Sequence, residues 1–221
     1  MTTVNPNHAE FKTQDAASYN PVAQSFDRFV TQLSAPVAAR LVALAGLAPD
    51  NHVLDVGAGT GIVALRAVAE MGPSGRVVGI DLSDGMLEVA RQNARGRGLA
   101  DRVEFRKMDA ESLDCKDGSF DAVVSLFALR HFPHPETALQ EMHRVLRPGG
   151  RLVLAVGSGA PWLSLVGLVH RLKLLPHVVR RFQGKQLVAC KFLDGMVAAY
   201  VPSSGKSEEA SWTHEHVHMQ Q

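Results

Sequence analysis

Cysteine is scarce: Cys115 and Cys190 are the only two in 221 residues. Two cannot build a disulfide framework or a cysteine zinc site, and a reducing, cytoplasmic setting is the expectation. Net charge is equally lacking, since 23 Lys and Arg against 22 Asp and Glu leave +1. That near-balance gives no overall attraction to nucleic acid or to an anionic membrane, so no nucleic-acid partner is expected. No apolar run reaches the roughly 18 residues of a spanning helix, which argues against stable membrane insertion. Residues 1–10 lack the basic and apolar regions of a signal peptide, and none is expected. Internal repeats are missing too. What the chain does have is 46% hydrophobic and 20% charged residues, the composition of one globular domain with a sizeable core.

Four stretches differ in rhythm. Residues 1–20 are polar and unpatterned and read as a mobile arm. Residues 21–157 carry the main domain. Its first part, 21–46, reads as two helical pieces: Phe26, Phe29, Val30 and Leu33 recur at helical spacing, Ser34 caps a second piece before Pro36, and Gly46 ends it. From residue 52 short apolar runs (52–56, 76–80, 102–107, 120–126, 151–156) alternate with amphipathic stretches (61–71, 84–98, 136–146) and one acidic connection (109–118). This alternation predicts an α/β fold, a doubly wound, mostly parallel sheet with helices on both faces. Residues 158–201 read as an apolar helix over 160–175 followed by either a hairpin about Asp194-Gly195 or a helix interrupted by Gly195. From 158 to 193 there is no Asp or Glu but six Lys and Arg (Arg171, Lys173, Arg180, Arg181, Lys185 and Lys191). Weak contact with a membrane surface or a greasy acceptor is one reading; a core helix with solvated basic ends is the other. Residues 202–221 read as a mobile polar tail. His214, His216 and His218 alternate there without a fixed fourth ligand, so no metal is expected.

The richest segment is Val53-Leu54-Asp55-Val56-Gly57-Ala58-Gly59-Thr60-Gly61. An apolar strand runs into a glycine turn that opens a helix. Glycines permit a tight turn and close approach of a ligand to the main chain, and the helix N-terminus behind favours an anionic group. The dinucleotide fingerprint Gly-x-Gly-x-x-Gly would need a third glycine where Ile62 stands. The glycines Gly57, Gly59 and Gly61 make a different pattern. The second strand closes with Gly79-Ile80-Asp81-Leu82, and a carboxylate there suits a ribose diol. Tight turning alone would also explain the glycines, and Asp81 could serve as a helix cap, although Ser83 is the better candidate. Pro148-Gly149-Gly150 reads as a structural turn into the fifth strand.

At these positions the sequence resembles the Rossmann-like (class I) methyltransferases that use S-adenosylmethionine. The resemblance covers about residues 20–157 and rests on ordered motifs: Val53 to Gly61, Val77 to Ser83, Met108-Asp109-Ala110-Glu111, Phe120 to Ser125, and Arg144 to Gly150. It implies that Gly57, Ala58 and Gly59 face the methionine part of the cofactor, with Gly61 in the same loop. Asp81 would hold the ribose hydroxyls and Leu82 would pack on the adenine. Asp109 would accept the adenine amino group, beside Ala110, and Ser125 and Leu126 would border the sulfonium. Asp55 would hold the loop or the cofactor. The stretch Phe127-Ala128-Leu129-Arg130-His131-Phe132-Pro133 is similar to the ubiquinone/menaquinone C-methyltransferase branch, which implies an apolar, quinone- or phenol-like small-molecule acceptor. The helix-plus-strand signature of that branch after residue 175 is not found.

Methyl transfer from a sulfonium is an in-line displacement, so alignment is the main task and a base is needed only where the acceptor must lose a proton. Two candidates follow the fourth strand: His131 as a base and Arg130 as an anchor for an anionic or enolic acceptor. Packing and solvation are their ordinary alternatives. Other readings of the whole chain are a non-catalytic cofactor-binding module and a nicotinamide-dependent oxidoreductase, the latter disfavoured by Ile62 and by the lack of a Tyr-x-x-x-Lys pair. Whether the chain forms a homodimer is left open.

Overall fold

The computed structural model describes residues 6–157, 187–192 and 195–200. Its order is α1 (Pro6–Tyr19), a 3-10 turn (Asn20–Val22), α2 (Ala23–Ala45), β1 (His52–Val56), α3 (Ile62–Glu70), β2 (Arg76–Asp81), α4 (Asp84–Gly96) and β3 (Val103–Lys107). There follow β4 (Phe120–Leu126), a 3-10 turn (Leu129–His131), α5 (Pro135–Val145), β5 (Leu146–Gly157), β6 (Leu187–Phe192) and β7 (Gly195–Tyr200). The sheet runs β3-β2-β1-β4-β5-β7-β6. Strands β1 to β5 pair in parallel, while β7 lies antiparallel to both β5 and β6. The described strands β6 and β7 pair antiparallel, as the hairpin reading expects and the interrupted-helix reading does not, and they extend the sheet. The expected helix 160–175 and the tail 202–221 lie outside the described residues.

Central strands of a parallel sheet are covered on both faces and read as continuous apolar runs, and β1 is buried from Val53 to Val56. Alternation then sorts its side chains. Val53 joins the core under α2, α3 and α4, with Leu41, Leu65 and Leu87. Leu54 and Val56 join the opposite core under α5, with Met142 and Leu146.

Two expectations about the N-terminal region change. Residues 6–19, expected as a mobile arm, form α1. Its inward face is polar, so no apolar period announced it. The second correction is α2, which is one helix with Pro36 inside it rather than two pieces. An internal proline removes one ladder bond and costs about 3 kcal/mol. Here the burial of Val37, Ala38, Leu41, Val42 and Ala45 just after it offsets that loss. Gly46, at φ +53, closes the helix, and Arg151 of β5 donates to the Ala45 carbonyl at 2.9 Å. Strand β5 also begins earlier than its apolar run. Phe120 pairs with Leu146 and Ala122 with Arg151, so the expected Pro148-Gly149-Gly150 turn is a bulge inside the strand, with Gly149 at φ +80.

Candidate active site

Strands β1, β2 and β4 point their carboxyl ends to the same edge, where an open α/β sheet presents its crevice. The loop after β1 is stitched to β2: the Gly57 and Ala58 N–H groups both donate to the Ile80 carbonyl at 2.9 Å. Asp81 then braces two turns at once, accepting from Gly59 N–H through Oδ2 and from Ser83 N–H through Oδ1, each at 2.9 Å. Burial raises the Asp81 pKa, against the pull of those backbone donors. Gly57 has φ +71, and a Cβ there would stand 2.2 Å from the Ala128 Cβ. Only glycine lets the chain after β4 cross at that distance.

Asp55 sits beneath the loop, 1% exposed. Its Oδ2 accepts from Ala64 N–H of α3 at 3.0 Å, while Oδ1 has no partner. Desolvation pushes its pKa up to about 7. The hydroxyl of Thr60, also buried, is likewise unpartnered. These two orphaned polar groups flank the glycines and line a cavity of about 210 Å³.

Of the residues expected in the site, Asp55, Gly57, Ala58, Gly59, Asp81, Leu82, Asp109, Ala110 and Leu126 line this one cavity, and His131 does too. Three do not. Gly61 is the left-handed N-cap of α3 at φ +87, and a Cβ there would strike the Phe105 ring at 2.8 Å. It packs inward and shapes the turn. Ser125 is buried behind the wall with its hydroxyl donating to the Val56 carbonyl at 2.7 Å, which ties β4 to β1. Arg130 is exposed, because one 3-10 turn sends Leu129 into the core, Arg130 to solvent and His131 to the cavity.

The sequence reading missed a whole wall. Lys12, Asp15, Ala16 and Tyr19 of α1 line the cavity. Their spacing (i, i+3, i+4, i+7) is that of one helix face, and it was the available signal, hidden because three of the four are polar. Lys12 Nζ reaches Asp109 Oδ2 at 2.8 Å and Glu111 Oε2 at 2.6 Å. Burial alone would lower its pKa, yet the two carboxylates outweigh that and raise it. Asp15 Oδ2 lies 3.0 Å from His131 Nδ1, and the Tyr19 hydroxyl 3.5 Å from His131 Nε2. Burial, with Asp15 nearby, raises the Tyr19 pKa and keeps the phenol neutral. Phe127, at the end of β4, holds φ +59 and lines the cavity as well. A bulky side chain in that left-handed region marks a constrained turn. Its N–H donates to the Ala155 carbonyl at 2.7 Å, which fixes the turn to β5.

A glycine loop between β1 and α3, with carboxylates at the ends of successive parallel strands, is a Rossmann-like arrangement, and residues 54–154 match the model of the methyltransferase domain family. Within that class the chain stands near the ubiquinone/menaquinone biosynthesis C-methyltransferases. It is 40% identical over 137 residues to the UbiE protein of that name from Ectopseudomonas mendocina (strain ymp), covering 61% of this chain and 54% of the relative. The chain thus spans about half the length of the curated relatives it matches. Among solved structures it is similar to a protein of Bacillus halodurans C-125 described as a candidate methyltransferase: 29% identity, TM-score 0.58, 70% of each chain covered. It is also similar to the [4+2]-cyclase SpnF, with 28% identity, TM-score 0.59, 72% of this chain and 60% of the other covered. Among the described residues no helix is long and apolar enough to cross a membrane.

Proposed function

We propose that this protein transfers a methyl group from S-adenosylmethionine to a carbon or oxygen of a small, apolar acceptor of the quinone or phenol kind. The observation that carries the reading is the orphaned Asp55 carboxylate oxygen at the glycine loop, in the cavity shared with Asp81 and Asp109. The residues suit such a ligand. A cation or N–H donor would satisfy Asp55 Oδ1, and an unpartnered buried acceptor otherwise costs about 1–3 kcal/mol. Gly59 opens onto empty space that a side chain would fill. Asp81 spends one hydrogen bond per oxygen on the backbone and keeps lone pairs for a diol. Asp109 would take an amino group, in exchange for or alongside Lys12. Leu82, Ala110 and Leu126 give apolar contact for rings and chains.

When bound, the cofactor supplies an activated methyl on a sulfonium. The chain's own part is to align the acceptor with it and to exclude water with Phe127, Phe132 and Tyr19. His131 would remove a proton where the acceptor carries one. The curated relatives named for quinone biosynthesis support the acceptor class. One observation favours a second reading, a cofactor-binding module without methyl transfer: one similar structure bears the name of a cyclase. Labelled methyl transfer to a panel of hydroquinones and phenols separates the two. Label in the organic extract, lost in Asp81→Ala, supports the first. Cofactor binding with no label on any panel member supports the second.

A further inference from the structure

We infer that Asp15 of α1 is a positioning residue that makes His131 Nε2 the proton-accepting atom of the cavity, with Tyr19 fixing the plane of the ring. The inference deepens the methyl-transfer reading and rests on it. A neutral imidazole carries its proton on one nitrogen, and the hydrogen bond at the other end decides which. Asp15 Oδ2 stands 3.0 Å from Nδ1, so the carboxylate selects the Nδ1–H form and leaves the Nε2 lone pair to face the cavity. The Tyr19 hydroxyl lies 3.5 Å from Nε2. That distance is at the outer limit of a hydrogen bond, so it leaves Nε2 available to an acceptor hydroxyl. The Tyr19 ring meets the imidazole edge-on, with centroids 5.7 Å apart and planes at 80°, and this restrains the ring's tilt.

The arrangement is held from one helix face. Lys12 lies one turn before Asp15 and clamps α1 to Asp109 and Glu111, so Asp15 and Tyr19 arrive at His131 in a fixed register. Besides Asp15, the charged group that acts on His131 among the described residues is Asp81 across the cavity, while the exposed Arg130, next to it in the chain, acts on Tyr19. In the step assigned here, an O–H or C–H proton of the acceptor passes to Nε2. The electron pair of that bond stays on the acceptor, which becomes the nucleophile. The imidazolium so formed is balanced by the Asp15 carboxylate at Nδ1, as in any base oriented by a third group.

The test uses the full chain labelled with ¹⁵N-histidine. Long-range ¹H–¹⁵N spectra report which ring nitrogen carries the proton, and the His131→Gln variant assigns the signals. The expected result is His131 protonated at Nδ1, a preference lost in Asp15→Ala and kept in Asp15→Glu. With the labelled-methyl assay, Asp15→Ala is expected to lower kcat about 10²-fold with cofactor Kd changed less than twofold, and Asp15→Glu to recover most of it. A wild-type protein protonated at Nε2, or an Asp15→Ala variant with unchanged tautomer and kcat, overturns the assignment. The tautomer needs neither cofactor nor acceptor. If it is as expected while the wild type transfers no label, the positioning stands and the methyl-transfer reading is what fails.

Discussion

The cavity has two walls held on different terms. The β1–β2 wall is main chain bonded to main chain: Gly57 and Ala58 donate to Ile80, Gly59 to Asp81, over strands that are almost wholly buried. The α1 wall is held by side chains, chiefly Lys12 on Asp109 and Glu111 and Asp15 on His131, whose side chains are 17% and 28% exposed. Elements with few buried apolar contacts open at lower free energy than the core. The first wall is therefore scaffold, and the second is a piece that can detach without unfolding the domain. The glycine loop and Asp81, proposed to bind the cofactor, sit on the rigid side, and the residues proposed to orient the candidate base sit on the looser one.

The largest effect should come from Gly57→Ala. The left-handed φ costs about 1–2 kcal/mol and the overlap with Ala128 about 1–3 kcal/mol, so a stability loss of about 3 kcal/mol is expected in denaturant unfolding. A loss below 1 kcal/mol would mean that the first wall is not rigid. Next comes Asp81→Ala, which removes the acceptor of two backbone donors and of the proposed ribose. Hydrogen bonds to a charged group are worth about 1.5–3 kcal/mol each, so cofactor affinity should fall about 100-fold. The pH dependence tests the same wall. Burial holds Asp55 at a pKa of about 7, whereas an unfolded aspartate titrates near 3.9. The native state keeps a proton that the unfolded chain gives up. The stability Asp55 contributes is thus full below about pH 4 and is lost as pH rises to about 7. Asp55→Asn should flatten that slope in thermal unfolding at pH 5 and 8; an unchanged slope would place the titration elsewhere.

The smallest effect belongs to the second wall. Lys12→Met should cost at most about 1 kcal/mol of global stability, the order of a partly exposed ion pair. Amide exchange should nevertheless quicken across α1 and not across β1 or β2. Uniform quickening would show one cooperative unit and erase the distinction between the walls.

That distinction also marks what was legible in the sequence. Strands β1 and β4 were readable to the residue, because central parallel strands are unbroken apolar runs closed by turn residues, and Asp55 lies in β1, Asp81 ends β2 and Asp109 follows β3. The α1 wall was not, because a helix whose working face is Lys12, Asp15 and Tyr19 carries no apolar period. Pro36 misled in the opposite direction: a local breaker was overridden by burial that only the assembled core provides. Ser125 and Arg130 failed for a third reason. A motif gives chain position, but a half-turn decides whether a side chain meets the cavity, the neighbouring strand or solvent.

The central claim, that the cavity is a S-adenosylmethionine site built on the first wall, is tested most directly by calorimetric titration of the protein with that cofactor, and separately with NADH. Micromolar binding of S-adenosylmethionine at one site, weakened about 100-fold in Asp81→Ala and intact in Asp15→Ala, is the expected result. No binding, or binding of NADH instead, would contradict it.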